Sequence, residues 1–192
     1  MIRIVGPKEF KLLTKEEKNK VINTTSSSKN WSRGLSPFFL GPVHLYQGRH
    51  AKNVENAWQY SKVYKEHVGA LGLPTEDWLS WAEGGWSNSY AVRYPMGKGA
   101  KPLYAFWDGV QYNYIEARKR IYIPLYRKAV LKSDAYSKLE REYHNKDKDI
   151  ILFDFDGYDH LTKNMTYQEV INCESLKMGH AFVLAMLLDE YI

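Results

Sequence analysis

The sequence predicts an α+β fold, a compact, mostly helical single domain with a small sheet. Three observations carry this reading. The run Asp149–Asp156 (DIILFDFD) is the clearest strand signal in the chain. The segment from about Leu176 to Tyr191 contains Ala181-Phe182-Val183-Leu184-Ala185-Met186-Leu187-Leu188, apolar on every side, which predicts a buried helix. The run Asn53–Tyr64 has neither Gly nor Pro and reads as a third, more polar helix.

The other elements follow in chain order. Lys15 to Asn23 predicts a short surface helix, and Thr24 to Asn30 (TTSSSKN) a polar loop. Leu35 to Pro42 is apolar but carries Pro37 and Pro42, which predicts a structured loop or a short edge strand. Thr75 is placed to cap a helix that carries Trp78 and Trp81. Glu83 to Ser89, with Gly84 and Gly85, predicts a turn. Arg93 to Lys101 (RYPMGKGAK) is a basic, glycine-rich loop. Tyr112 to Lys132 has a helical pattern that Pro124 kinks or divides, and Ala135 to His144 is a charged helix. No internal repeat is present.

Composition narrows the function classes. The chain of 192 residues is long enough for one domain with a real core. Its fifteen Tyr, seven Phe and six Trp are enough both to fill a core and to line a pocket for a flat ligand. The formal charge of +5 fits an anionic partner such as a phosphate or a nucleic acid. A single cysteine, Cys173, excludes an intrachain disulfide or a zinc–thiolate cluster and fits a reducing cytoplasm. With Lys8, Glu9 and Lys11 near the start and no apolar stretch there, no signal peptide is expected. No window approaches the roughly 20 apolar residues of a membrane span. A cytoplasmic protein without a membrane partner is the expectation.

The most informative residues are Glu55, Trp58, Gln59 and Lys62. Their i, i+3, i+4, i+7 spacing puts an acid, an aromatic, an amide and a base on one stripe of a helix. Such a face suits a polar, flat ligand and acid–base work on it. The alternative leaves Glu55 and Lys62 in solvent, with Trp58 as the helix's core contact. On the late strand, period-two alternation predicts Asp154 and Asp156 on one face and Phe153 and Phe155 on the other. These two carboxylates are either a site or a solvated strand end. Gly97-Lys98-Gly99 could cradle a phosphate, although it lacks the spacing of a Walker loop and also reads as a plain basic turn. Gly179-His180 opens the last helix, where an anion could sit, or His180 could simply cap or pack. Arg118 is most simply a solvated helix charge. His44 and His50 have no acidic cluster beside them in sequence and are not read as metal ligands.

Two family resemblances follow from these motifs. Ile150-Ile151-Leu152-Phe153-Asp154-Phe155-Asp156-Gly157 resembles the haloacid-dehalogenase phosphatase signature, which would make Asp154 a nucleophile and Asp156 an acid/base beside magnesium. Only 36 residues follow Asp156, too few for the rest of that fold. The wider pattern resembles the NADAR, or YbiA-like, family. Leu35-Ser36-Pro37-Phe38-Phe39 is similar to its Leu-Ser-Asn-Phe-Tyr element, and Glu55-Asn56-Ala57-Trp58-Gln59-Tyr60-Ser61-Lys62 to its Glu-His-x-Tyr-Gln-x-x-Lys helix. Trp107 before a long helix, a late Asp, and Gly179 to Leu187 follow in the family's order. The likeness spans about residues 31–190. Pro37, Asn56 and Trp58 depart from the pattern, as does the missing second Gly of the closing motif.

The resemblance implies a compact YbiA-like domain and an N-glycosidase-like hydrolase acting on a ribose-phosphate or ADP-ribose conjugate. Some relatives act on riboflavin-pathway intermediates. Others, phage-borne ones among them, remove ADP-ribose from guanine in DNA and so counter a toxin. Glu55 would stabilise the oxocarbenium-like transition state and activate water, with Asp154 or Asp156 as the second carboxylate. Phe38, Trp58 and Trp107 would stack on base or sugar. Lys62, Arg93, Lys98 and Arg118 would meet phosphate. Ser36, Gln59, Gly179 and His180 complete the expected substrate-binding set. Neither metal nor cofactor is required. The competing readings are a non-catalytic module that binds ADP-ribose or nucleic acid, and a magnesium-dependent phosphatase using Asp154 and Asp156.

Overall fold

The computed structural model describes residues 1–145 and 149–192. Helices hold 43% of the chain and strands 14%, so the fold is α+β with helix predominating. In chain order the elements are β1 (Ile2–Val5), α1 (Pro7–Leu12), α2 (Lys15–Asn19), β2 (Val21–Asn23), β3 (Val43–His44), β4 (His50–Ala51), α3 (Val54–Gln59), β5 (Lys62–Val63), α4 (Glu76–Ser87), β6 (Tyr104–Trp107), β7 (Val110–Tyr112), α5 (Tyr114–Ala117), α6 (Ile123–Val130), α7 (Asp134–Asn145), β8 (Ile150–Phe153), α8 (Tyr167–Asn172) and α9 (His180–Leu188). The chain divides into two compact units, one formed by 1–36 with 126–192 and the other by 37–125.

The first unit is built on a three-stranded parallel sheet in the order β1-β8-β2. β8 is the central strand, with Ile2 opposite Ile150 on one side and Val21 opposite Ile151 on the other. A strand paired on both edges of a parallel sheet is covered on both faces, which is why Ile150-Ile151-Leu152 is a continuous apolar run rather than an alternating one. α9 packs on β1. Every residue of α9 from His180 to Leu188 is buried, as expected for a helix that is apolar all round. Tyr143 and Tyr167 both donate to Asp189, at 2.8 and 2.7 Å, and so hold the end of α9.

The second unit carries a two-stranded ribbon, β3-β4, and a three-stranded antiparallel sheet in the order β5-β6-β7. Trp78 and Trp86 of α4 are almost fully buried, and their rings meet edge to face at 6.4 Å. Thr75 caps α4 as its sequence predicts, accepting from the Trp78 N–H at 3.3 Å.

Several elements differ from the sequence expectation. The helix predicted over 53–64 stops at Gln59, and Lys62–Val63 instead pairs with Tyr104–Ala105 as a strand. The Ser61 hydroxyl donates to the Trp58 carbonyl at 2.8 Å and closes the helix end. The predicted helix over 15–23 likewise ends at Asn19, and Val21–Asn23 joins the sheet. Leu35 to Pro42 is a structured loop, one of the two expected alternatives, and only its first residue belongs to the 3₁₀ turn Trp31–Leu35. The helix around Pro124 is not broken. A π-helical stretch, Arg118–Tyr122, runs directly into α6, which carries Pro124 as its second residue, where the missing N–H is tolerated. β8 ends at Phe153, so Asp154 and Asp156 do not share a strand face.

The predicted turn over 83–89 is helical through Ser87, and here glycine serves packing rather than bending. A Cβ on Gly85 would enter the Tyr60 ring, whereas a Cβ on Gly84 would meet open space. Gly85→Ala is therefore expected to destabilise the protein by about 1–3 kcal/mol through overpacking. Gly84→Ala should instead be neutral or stabilising by up to about 1 kcal/mol, as for glycine replaced in a helix interior. Chemical denaturation of the two variants checks the pair, and equal effects would contradict this packing role.

Candidate active site

The second unit holds the cluster the sequence singled out. Glu55 is in the first turn of α3, where Asn53 caps the helix by accepting from the Asn56 N–H at 2.8 Å. Its backbone N–H donates to the Pro37 carbonyl at 3.0 Å, which ties α3 to the chain at Pro37. The Glu55 side chain does not lie in solvent, the residue being 6% exposed. Gln59, one turn later, donates from Nε2 to Glu55 Oε1 at 2.9 Å. Its carbonyl oxygen accepts from Lys62 Nζ at 2.6 Å. The same ammonium lies 4.9 Å from the Trp58 ring centre, a cation–π contact. Trp58 packs on Tyr122 at 5.2 Å between centroids.

The four residues are thus brought together, although Lys62 reaches the cluster from β5 and not from the helix. The amide of Gln59 fixes the direction of the chain: it donates to a carboxylate and accepts from a cation. A buried carboxylate is tolerated only where such partners compensate its lost hydration.

Asn56 is the main residue that sequence reasoning left without a role. It is fully buried and donates to the carbonyls of Asn88 and Tyr90, both at 2.9 Å, while accepting from the Val92 N–H at 2.8 Å. It therefore clamps the segment that leads into Arg93. Its partners lie 32 to 36 residues away, so no local pattern announces it.

Arg118 is not a solvated helix charge. It is 2% exposed and its guanidinium lies 4.6 Å from the Tyr114 ring centre, on the π-helical stretch. Arg93 is half-buried, with its guanidinium 5.4 Å from Tyr94. Lys98 is exposed on a loop where Gly97 and Gly99 both have positive φ. Phe38 is half-buried. Trp107 packs edge-on against Tyr46 at 4.9 Å, as a partner of the ribbon's tip. A groove of about 340 Å³ lies in the same unit, lined by Tyr46, Leu73, Trp78, Phe106 and others. None of Glu55, Trp58, Gln59 and Lys62 lines it.

The remaining candidates belong to the first unit. Ser36 is buried at the end of the 3₁₀ turn. Asp154 is 4% exposed and is taken up by its own chain. Oδ2 accepts from the Ala181 N–H at 3.0 Å and faces His180 Nδ1 at 2.9 Å, while Oδ1 accepts from the Asp156 N–H at 3.0 Å. The anion site expected at Gly179 and His180 is thus filled by Asp154 itself, and a side chain on Gly179 would collide with that carboxylate. His180 Nε2 lies 2.8 Å from the Thr24 carbonyl, so both ring nitrogens face oxygen acceptors, an arrangement a doubly protonated imidazolium satisfies. Asp156 is half-exposed, 3.6 Å from Lys177 Nζ. Among the described residues no group of three or more His, Cys, Asp or Glu side chains is arranged to hold a metal ion. No helix of the described residues is long and apolar enough to cross a membrane.

No protein-family model matches the chain, and comparison with curated proteins finds no match.

The electrostatics of Asp154 have a thermodynamic consequence. Burial alone would push its carboxyl up. The charge and hydrogen bond of His180, with the Ala181 and Asp156 N–H groups, outweigh burial and hold it down at about 2. A carboxyl depressed on folding contributes stability that is present above its unfolded value and lost as pH falls through the folded one. The expected contribution is about 2 kcal/mol at neutral pH, disappearing between about pH 4 and pH 2. Urea denaturation across that range should show wild type losing this increment while Asp154→Asn, less stable at pH 7, does not. Parallel pH profiles for the two proteins would refute the coupling.

Proposed function

We propose that the chain is an N-glycosidase-like hydrolase that cleaves a ribose-phosphate or ADP-ribose conjugate, with an ADP-ribosylated nucleobase, free or in DNA, as the substrate of first choice. The observation that carries this reading is the buried Glu55–Gln59–Lys62 chain beside Trp58. Breaking an N-glycosidic bond builds positive charge on the ribose ring. A carboxylate held away from bulk water stabilises that charge strongly and costs no reorganisation as the bond breaks. Gln59 fixes the carboxylate's orientation, and the Lys62 ammonium at the far end of the amide offers charge to a phosphate. Trp58 supplies a flat face for a base. Arg93 and Lys98 lie on the glycine-rich loop and add cationic character, and Arg118 contributes a second aromatic-backed guanidinium. The motif likeness of residues 35–39 and 55–62 to the NADAR family supports the same chemistry.

On this reading Asp154 is a positioning residue for α9 rather than the second catalytic carboxylate. The same geometry weighs against the phosphatase reading, because a nucleophilic carboxylate must have a free oxygen and both of its oxygens are engaged. The 340 Å³ groove carries no buried acid–base set, so the chemistry is assigned to Glu55. Base release from an ADP-ribosylated nucleoside, followed by chromatography, tests the proposal. Glu55→Gln keeps the side chain's shape and should lower the rate by about 10²–10⁴-fold. Equal rates in the two proteins would remove Glu55 from the mechanism, and tight ADP-ribose binding without turnover in wild type would make the protein a binding module instead.

A further inference from the structure

The β3-β4 ribbon carries an arrangement that the function proposed above does not use. Its tip turns through Gln47 (φ 52°) and Gly48 (φ 75°), both left-handed, the conformation that closes tight hairpins. Val43 pairs with Ala51, and His44 pairs directly with His50. Val43 and Ala51 are buried, so the alternating positions His44 and His50 point outward, and both are exposed. The Leu45 N–H donates to the Arg49 carbonyl at 2.9 Å, next to the histidine pair. That places His44 and His50 at a non-hydrogen-bonded position, where facing side chains approach most closely. Their ring centroids are 4.3 Å apart and the ring planes 58° apart. Among the described residues neither imidazole is held by a hydrogen bond, so the ring nitrogens are available to a ligand.

We propose that His44 and His50 form a two-imidazole chelate for a borderline divalent transition ion, Cu(II), Ni(II) or Zn(II), on the outer face of this ribbon. Metal–nitrogen bonds of about 2.0–2.1 Å put two neighbouring imidazole ligands of one ion about 4–5 Å apart between ring centres, and the pair already stands at that separation. Imidazole suits these ions, and the order of affinity should be Cu(II) above Ni(II) and Zn(II). The hairpin register presents both ligands side by side, so the second binds at high effective concentration. No third protein ligand completes the set among the described residues, which leaves the other coordination positions to water or to a donor atom of a bound molecule. The ion would cross-link the two strands whose tip supplies Tyr46, Gln47 and Arg49 to the 340 Å³ groove, and so stiffen one wall of it. Without an ion, two like rings face each other at an exposed cross-strand position where paired charges of opposite sign or threonines would stabilise the ribbon better.

The test is calorimetric titration of tag-free protein with Ni(II) and, separately, Cu(II) at pH 7.5, using wild type, His44→Gln, His50→Gln and the double variant. Wild type should bind one equivalent. Each single variant should bind at least about tenfold more weakly, because one lost ligand already breaks the chelate, and the double variant at least as weakly as the singles. Both positions are exposed, so the variants should melt with wild type in the absence of metal, and metal should raise the melting temperature of wild type alone. Single variants that bind within twofold of wild type, or a double variant that keeps the wild-type affinity, would overturn the site.

Discussion

A carboxylate taken out of water must be compensated where it lies, and Asp154 is compensated from three directions. The His180 ring, the Ala181 N–H in the first turn of α9 and the N–H of Asp156 all meet it within 3.0 Å. Through these contacts one side chain joins the end of the central strand β8 to the start of the most buried helix of the first unit. His180 extends the network to the Thr24 carbonyl at the end of β2, and Thr24 itself donates twice to the Phe153 carbonyl. The N-terminus of α9, which would otherwise leave its N–H groups unsatisfied in an apolar surround, is capped by an internal ion pair. Removing one partner of such a pair leaves a buried charge without compensation, which is far costlier than never having placed the pair there.

The second unit is organised by neutral polar groups instead. Asn56 spends its donor and acceptor capacity on three backbone groups of the 88–92 segment, and Gly85 lets α4 lie directly against the Tyr60 ring. Both devices fix backbone around α3 without using charge. The buried charge of that unit lies in the Glu55–Gln59–Lys62 chain, whose lysine is half-buried, and in Arg118. Buried charges held in hydrogen-bonded chains beside aromatic rings are a natural place to look for chemistry.

Part of the candidate site was legible in the sequence. The i, i+4 step from Glu55 to Gln59 is a local fact of helical geometry, and the structure closes it as a hydrogen bond. Lys62 was placed near them for a different physical reason. The helix ends at Gln59 and strand pairing with Ala105 brings the lysine back. Arg118 read as a surface charge because it stands in a charged run, Glu116-Ala117-Arg118-Lys119-Arg120. Its burial depends on the π-helical turn and on Tyr114. The pairing of His44 with His50 follows from a hairpin register that a six-residue spacing does not reveal.

The sequence by itself determined the α+β class, the central apolar strand, the wholly buried last helix, the Thr75 cap and the acid–amide pair on α3. Each of these is set by residues within a few positions of one another, where propensity, periodicity and capping act alone. Tertiary structure decided where helices stop in favour of strands, that Gly84 and Gly85 lie within a helix, and that Asp154 faces inward to His180 rather than outward beside Asp156. Those outcomes depend on partners 20 to 130 residues distant, and burial and hydrogen-bond satisfaction between such partners outweigh the tenths of a kcal/mol by which local preference differs.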